Sequence, residues 1–184
     1  MRKLIAAINM TLDGFCDHTY GIADEELHEY YKDLLNNSGT ILYGRITYQL
    51  MESYWPGIVK SPTGDKSTDD FAMAIQNIPK IVFSRTLDNI SWENTTLAKG
   101  TLEEEVSALK QASGRDILVG SPGLIAALTN LNLIEEYRLC IHPVIAGKGL
   151  TLFREMTRSI VLKLLGTKAF SAGQVVHYYK SVES

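Results

Sequence analysis

The sequence predicts an α/β fold: a mixed, mostly parallel sheet flanked by helices, closed by an antiparallel C-terminal hairpin. Three observations carry this. Strand-like and helix-like segments alternate over the first two-thirds of the chain. The last third reads as strand throughout, which adds an antiparallel edge late. "KLIAAIN" (3–9) and "DILVG" (116–120) are apolar without alternation, the pattern of strands buried on both faces. Crossovers between the parallel strands are expected to be right-handed.

The elements follow in order. After the strand at 3–9, residues 10–24 read as an irregular loop rich in Asp and Gly. Asp24 is placed to cap a helix whose Leu27, Tyr30, Tyr31, Leu34 and Leu35 recur at helical spacing, with Gly39 as the stop. A strand at 40–43 hands over to a helix at 46–53. Residues 56–68, "PGIVKSPTGDKST", read as a long loop, a length that suggests function or mobility. Ser67 or Thr68 caps the next helix, which stops before Pro79. "KIVFS" is a strand, and Thr96-Leu97-Ala98 a short one. Thr101 and Glu104 form a capping box, and Gly114 stops that helix. Ser121 caps a helix with Pro122 at its first position. An alternating strand at 137–145 precedes two strands around "SAG", the hairpin.

The 184 residues suit a single domain spanning 1–184. Composition is ordinary, with 45% hydrophobic and 21% charged residues. A net charge of −3 implies no broad basic surface, so nucleic-acid partners are disfavoured and phosphate recognition must be local. No apolar run approaches the ~20 residues of a membrane helix. The basic start of "MRKLIAAINMTLDGF" is not read as a leader, because Asn9 and Asp13 interrupt a brief apolar stretch. Cys16 and Cys140 have no metal spacing and no disulfide framework, and a cytoplasmic protein is expected.

Two strand-to-helix joins carry chemistry. At Gly44-Arg45-Ile46-Thr47 and at Gly120-Ser121-Pro122-Gly123-Leu124 a strand ends in Gly and a helix begins. A helix start offers free N–H groups and partial positive charge, and Gly admits an anion to the backbone. Neither join is a GxGxxG or a P-loop, and an ordinary βα turn is the alternative for each. A third join, Ser84-Arg85-Thr86, gathers two hydroxyls and a guanidinium. With Arg45 it makes two candidate forks for a ribose 2′-phosphate, favouring NADP over NAD; solvated surface charge is the alternative.

"MTLDGF", "GRITY", "PKIVFSRTL", "DILVGSPGLIAAL" and "LNLIEEYRLCIHPVIAGKGLTLF" occur in one order along nearly the whole chain. On these the sequence resembles the dihydrofolate reductase-like family, in particular its bacterial branch related to the reductase domain of riboflavin biosynthesis. The resemblance implies an eight-stranded sheet and hydride transfer from NADPH. It implies that Gly44, Arg45 and Thr47 hold the adenosine side and pyrophosphate. Ser84 and Arg85 would bind the 2′-phosphate. Gly120, Ser121, Pro122, Gly123 and Leu124 would wrap the pyrophosphate and nicotinamide side, with Gly-Ser here where many members have Gly-Gly. Ala6, Ala7 and Ile8 would lie beside the nicotinamide, under a closing loop at 13–24.

The substrate side is less legible. A dihydrofolate reductase needs a carboxylate on its first helix; an ungapped count from Gly44-Arg45 puts His28 there, while Glu25, Glu26 and Glu29 point elsewhere. His28 is a candidate proton donor, the alternative being a packed histidine. Asp13-Gly14 is a turn pair with a possible substrate contact, so the catalytic candidates are His28 and Asp13. Lys60, Lys66 and Lys148 are candidate cations for a substrate phosphate, and Trp55 is a candidate cap on the pocket. His142 and His177 are read as structural. No zinc-ligand set is present for a deaminase, and no metal is expected. The expected activity is NADPH-dependent reduction of a small heterocyclic or ribityl substrate. The alternatives are a non-catalytic nucleotide-binding module and a weak dihydrofolate reductase. The late strands, with the resemblance, suggest a homodimer.

Overall fold

The computed structural model describes residues 1–182. It contains eight strands and five α-helices in those residues, in the order β1 (Leu4–Thr11), α1 (Glu25–Asn36), β2 (Thr40–Gly44), α2 (Arg45–Lys60), α3 (Lys66–Asn77), β3 (Lys80–Phe83), β4 (Thr95–Leu97), α4 (Leu102–Gln111), β5 (Ile117–Val119), α5 (Pro122–Asn130), β6 (Glu136–His142), β7 (Leu162–Ala169) and β8 (Val175–Ser181). A single 3₁₀ turn lies at His18–Tyr20. The strands form an eight-stranded sheet in the order β4-β3-β2-β5-β1-β6-β8-β7. The pairs β1–β6, β2–β3 and β3–β4 are parallel, and β6–β8 and β7–β8 are antiparallel. This is the mostly parallel sheet with a late antiparallel hairpin that the sequence predicts.

The chain divides into two compact units. The first comprises Met1–Arg2 and Ala23–Leu118. Strand β2 is short and apolar because a central parallel strand is covered on both faces; in it Ile41, Leu42 and Tyr43 are all buried. Asp24 caps α1, accepting the Leu27 N–H at 2.8 Å, and Leu27, Leu34 and Leu35 turn inward. Helix α3 packs against both α1 and α2 through Phe71, Ala72, Ala74 and Ile75. The capping box on α4 is present, with Thr101 and Glu104 exchanging side-chain and backbone bonds.

Several boundaries differ from the sequence reading. Helix α2 does not stop at 53 but runs through Trp55-Pro56-Gly57 to Lys60, so the long loop at 56–68 shrinks to residues 61–65. Pro56 reads locally as a breaker, yet the Trp55 ring lies 4.6 Å from that of Phe71 and holds this turn against α3. Lys60 and Lys66 accordingly sit on helices. The cap of α3 is Asp65, whose carboxylate accepts the Thr68 N–H and also the Ser67 hydroxyl. Helix α1 ends at Asn36 with Asn37 as its cap, before Gly39, and α4 ends at Gln111 with Ala112, before Gly114. Strand β6 stops at His142 rather than 145, and β1 continues into the expected loop as far as Thr11.

The second unit comprises residues 3–22 and the chain from Val119 onward. Helix α5 buries Ile125, Ala126, Leu128 and Thr129, and the Tyr137 hydroxyl of β6 donates to Thr129 Oγ1 at 3.1 Å. The β7–β8 turn closes on Gly173, whose N–H meets the Phe170 carbonyl at 3.0 Å. Its φ of +92° is a conformation that favours glycine.

Candidate functional site

In the first unit, register brings two of the three joins together. Gly44 at the end of β2 pairs with Phe83 at the end of β3. Arg45 and Ser84 are therefore each one residue beyond the same rung, at the carboxyl ends of neighbouring parallel strands. Arg45 is exposed at the first position of α2, with Nη1 donating to Gln49 Oε1 at 3.2 Å, and Thr47 is half-buried. Ser84 Oγ accepts the Thr86 and Leu87 N–H groups at 3.2 and 3.0 Å. This turn organises Ser84-Arg85-Thr86, and Arg85 is exposed. With its oxygen accepting twice, the Ser84 hydroxyl has its proton to offer an anion.

The helix starts fall into two kinds. Helices α1, α3 and α4 are capped by the side chains of Asp24, Asp65 and Thr101, and each has acidic residues in its first turn. Helices α2 and α5 have neither a side-chain cap bond nor an acidic first turn. Those are the two starts that the sequence marks for phosphate, and their dipole ends are not already neutralised by their own residues. In the second unit the α5 start is Gly120, buried Ser121, Pro122, exposed Gly123 and half-buried Leu124. A Cβ added at Gly123 would meet no atom within 4 Å, so this turn lies open to a ligand. Each of these two starts, taken by itself, suits a phosphate group.

Ala7 is half-buried and Ile8 buried on β1, opposite Arg138 and Leu139 of β6. The segment after β1 is tied to the residues following β6. Leu12 N–H donates to the Val144 carbonyl and Cys16 N–H to that of Leu150, and Phe15 bridges to Thr151. Asp13 accepts from the Thr11 hydroxyl and from the Ala146 and Gly147 N–H groups. The Thr11 bond foremost, with the backbone bonds, holds its carboxyl down at about 2. At neutral pH Asp13 is a carboxylate that orders two loops, with no proton to give.

His28 stands in an aromatic cluster of the first unit. Its ring stacks on Phe71 at 5.6 Å, meets Trp55 edge-on at 6.4 Å, and places Nδ1 3.3 Å from Thr68 Oγ1. Burial pushes the imidazole below the usual histidine range, opposed by the charges of Asp65 and Asp24. Glu29 pairs with Lys32 on the same helix. The sequence does not connect Phe71 and Thr68 with His28, since they come from a helix some forty residues further on. His142, read from the sequence as structural, has two specific partners. It is buried and holds the Ile22 N–H through Nδ1 and Asn9 Oδ1 through Nε2, each at 3.0 Å. Among the described residues no group of His, Cys, Asp and Glu is placed to hold a metal ion, and no helix is long and apolar enough to cross a membrane.

The fold is that of the dihydrofolate reductase-like class. Residues 2–176 match the RibD C-terminal domain family, and the chain belongs to it. It is 36% identical over 186 residues to the uncharacterized protein YyaP of Bacillus subtilis (strain 168), covering 97% of this chain and 95% of that one. Among solved structures it superposes on dihydrofolate reductase from Enterococcus faecalis complexed with NADP(H), with a TM-score of 0.64 and 14% identity over 98% of this chain and 97% of the other. It also superposes on a diaminohydroxyphosphoribosylaminopyrimidine deaminase/5-amino-6-(5-phosphoribosylamino)uracil reductase from Thermotoga maritima, with a TM-score of 0.67 and 17% identity. That match covers 98% of this chain and 57% of the Thermotoga chain. The chain is thus a RibD C-terminal domain on a dihydrofolate reductase-like fold.

Proposed function

We propose that the protein is an NADPH-dependent reductase of a small heterocyclic or ribityl substrate, an enzyme similar to 5-amino-6-(5-phosphoribosylamino)uracil reductase. The observation that carries this reading is the β2–β3 register, with Gly44 opposite Phe83, which sets Arg45 beside the Ser84-Arg85-Thr86 turn. Two guanidinium groups and a hydroxyl donor at adjoining strand ends suit the dianionic 2′-phosphate. Gly44, Arg45 and Thr47 of the first unit and Gly120, Ser121, Pro122, Gly123 and Leu124 of the second are the proposed phosphate contacts, with Ala7 and Ile8 beside the nicotinamide. Bound NADPH would supply the hydride. Asp13 orders the loop after β1. His28 is the proposed proton donor, and Lys60, Lys66 and Lys148 are the cations proposed for a substrate phosphate. The protein is proposed to act in the cytoplasm as a homodimer.

The test is a titration of NADPH and NADH against wild type and Arg45→Ala. Loss of one charge-assisted contact is expected to weaken NADPH by about tenfold to a hundredfold, with little effect on NADH. Equal affinity for both cofactors in wild type, or no binding of either, would sink the reading. A second reading, a nucleotide-binding module without turnover, is favoured by one observation: an imidazole pushed toward neutrality stands on α1. Oxidation of NADPH with any pyrimidine ribosylamine or pterin rejects it.

A further inference from the structure

We propose that His142 is a positioning residue that fixes the side-chain amide of Asn9 as a hydrogen-bond donor to a carbonyl oxygen of the substrate heterocycle. The inference rests on the reductase reading and names a feature of its substrate.

His142 ends β6, opposite Thr11 of β1, and is 2% exposed. Its two ring nitrogens have different partners, and these settle where the proton sits. The Ile22 backbone N–H points at Nδ1 at 3.0 Å. An amide N–H can only donate, so Nδ1 keeps its lone pair and the neutral ring carries its proton on Nε2. Nε2 lies 3.0 Å from Asn9 Oδ1 and 3.8 Å from Cys140 Sγ. The Nε2–H therefore donates to the Asn9 oxygen, and the Asn9 NH2 is the end turned away from His142.

Asn9 is an exposed residue of β1. Successive side chains of a strand alternate, so it shares a face with Ala7, the residue proposed to lie beside the nicotinamide. An asparagine on its own can rotate to donate or to accept. With its oxygen held by His142, Asn9 can only donate in the other direction. It selects a ring that presents a carbonyl oxygen, as a pyrimidinedione does, over one that presents an N–H at that point. The same imidazole holds Ile22, whose carbonyl accepts from Gln174 Nε2 at 2.9 Å. One buried ring thus sets the amide and anchors the end of the segment that follows β1.

The experiment is side-chain and backbone 15N NMR on the full chain saturated with NADPH, with uracil as the probe. Wild type should show the Asn9 NH2 signal moving on uracil addition. Asn9→Asp keeps the shape and the His142 bond but replaces the outward donor by an acceptor. It should weaken uracil by ~10-fold or more, read at the Ala7 amide. His142→Gln can still donate toward Asn9 and should retain the response. His142→Asn can still accept from Ile22, and should keep the Ile22 amide protected while losing uracil affinity to the same degree as Asn9→Asp. NADPH bound with no movement of the Asn9 NH2, or His142→Asn or Asn9→Asp binding uracil as wild type does, overturns the proposal and leaves the reductase reading standing. Failure of wild type to bind NADPH overturns both.

Discussion

The carboxylate of Asp13 accepts the backbone N–H of Gly147 at 2.7 Å, across 134 residues of sequence. Its other oxygen takes the Thr11 hydroxyl at 2.6 Å and the Ala146 N–H at 3.1 Å. Gly147 has a φ of +73°, so the loop turns its N–H groups toward one point, and Asp13 is the anion at that point.

Asp13→Asn should therefore loosen the loop at 146–147 before it affects anything else. Amide exchange at Ala146 and Gly147 is expected to accelerate by about tenfold, with Leu118 and other core amides unchanged. The folded carboxyl sits at about 2, below its unfolded value. Its contribution is present above an unfolded value of about 4 and is lost as pH falls toward 2. Wild type and Asp13→Asn should thus converge in exchange rate at low pH.

Lys80 is 1% exposed, donates to the Gln76 and Ile78 carbonyls at 2.9 and 3.0 Å, and lies 4.4 Å from the Trp92 ring centre. Lys80→Met keeps the stem and strands those carbonyls, so a loss of about 1–3 kcal/mol is expected by chemical denaturation. Burial brings the ammonium down to about 8 in the folded protein, against the pull of Glu93. Between about 8 and the unfolded value of about 10.4 the unfolded chain holds the extra proton. Wild-type stability should rise with pH in that window relative to Lys80→Met.

Pro56 stands inside α2 and has no N–H to give to the Glu52 carbonyl. Pro56→Ala restores that bond, worth about 3 kcal/mol in a helix interior, and gives back about 1 kcal/mol of unfolded-state entropy. A net gain of about 2 kcal/mol is expected, seen as a raised Tm. An unchanged or lowered Tm would show that the helix bends there to suit the Trp55–Phe71 contact.

The His28 imidazole is held below its ordinary value by burial. The unfolded chain binds the proton more readily, so wild-type stability should fall as pH drops through about 6.5. His28→Phe preserves the stack on Phe71 and should lack this part of the pH dependence. Parallel stability profiles for the two proteins would refute the assignment.

Local chemistry made much of this readable. Asp24 before an apolar stripe, Thr101 with Glu104, and Pro122 after Ser121 mark helix starts within one turn of chain, and all three begin helices where they stand. Two apolar segments around Gly173 were enough for the hairpin. Pro56 misled for the same reason that it usually informs: its effect was judged on the local backbone, while Trp55 settles the matter through Phe71. The sequence points to Ser67 or Thr68 as the cap of α3, while Asp65 takes that place by accepting the Thr68 N–H and the Ser67 hydroxyl.

The sequence by itself determined the class of fold, the order of its elements and the three joins rich in Gly, Ser and Arg. These depend on periodicity and on backbone preferences that act over a few residues. Only tertiary structure decided that Gly44 stands opposite Phe83, that Thr68 and Phe71 surround His28, and that Ile22 and Asn9 assign the two nitrogens of His142. Register and side-chain partnership across many tens of residues are set by packing the whole core at once, and no local window contains that information.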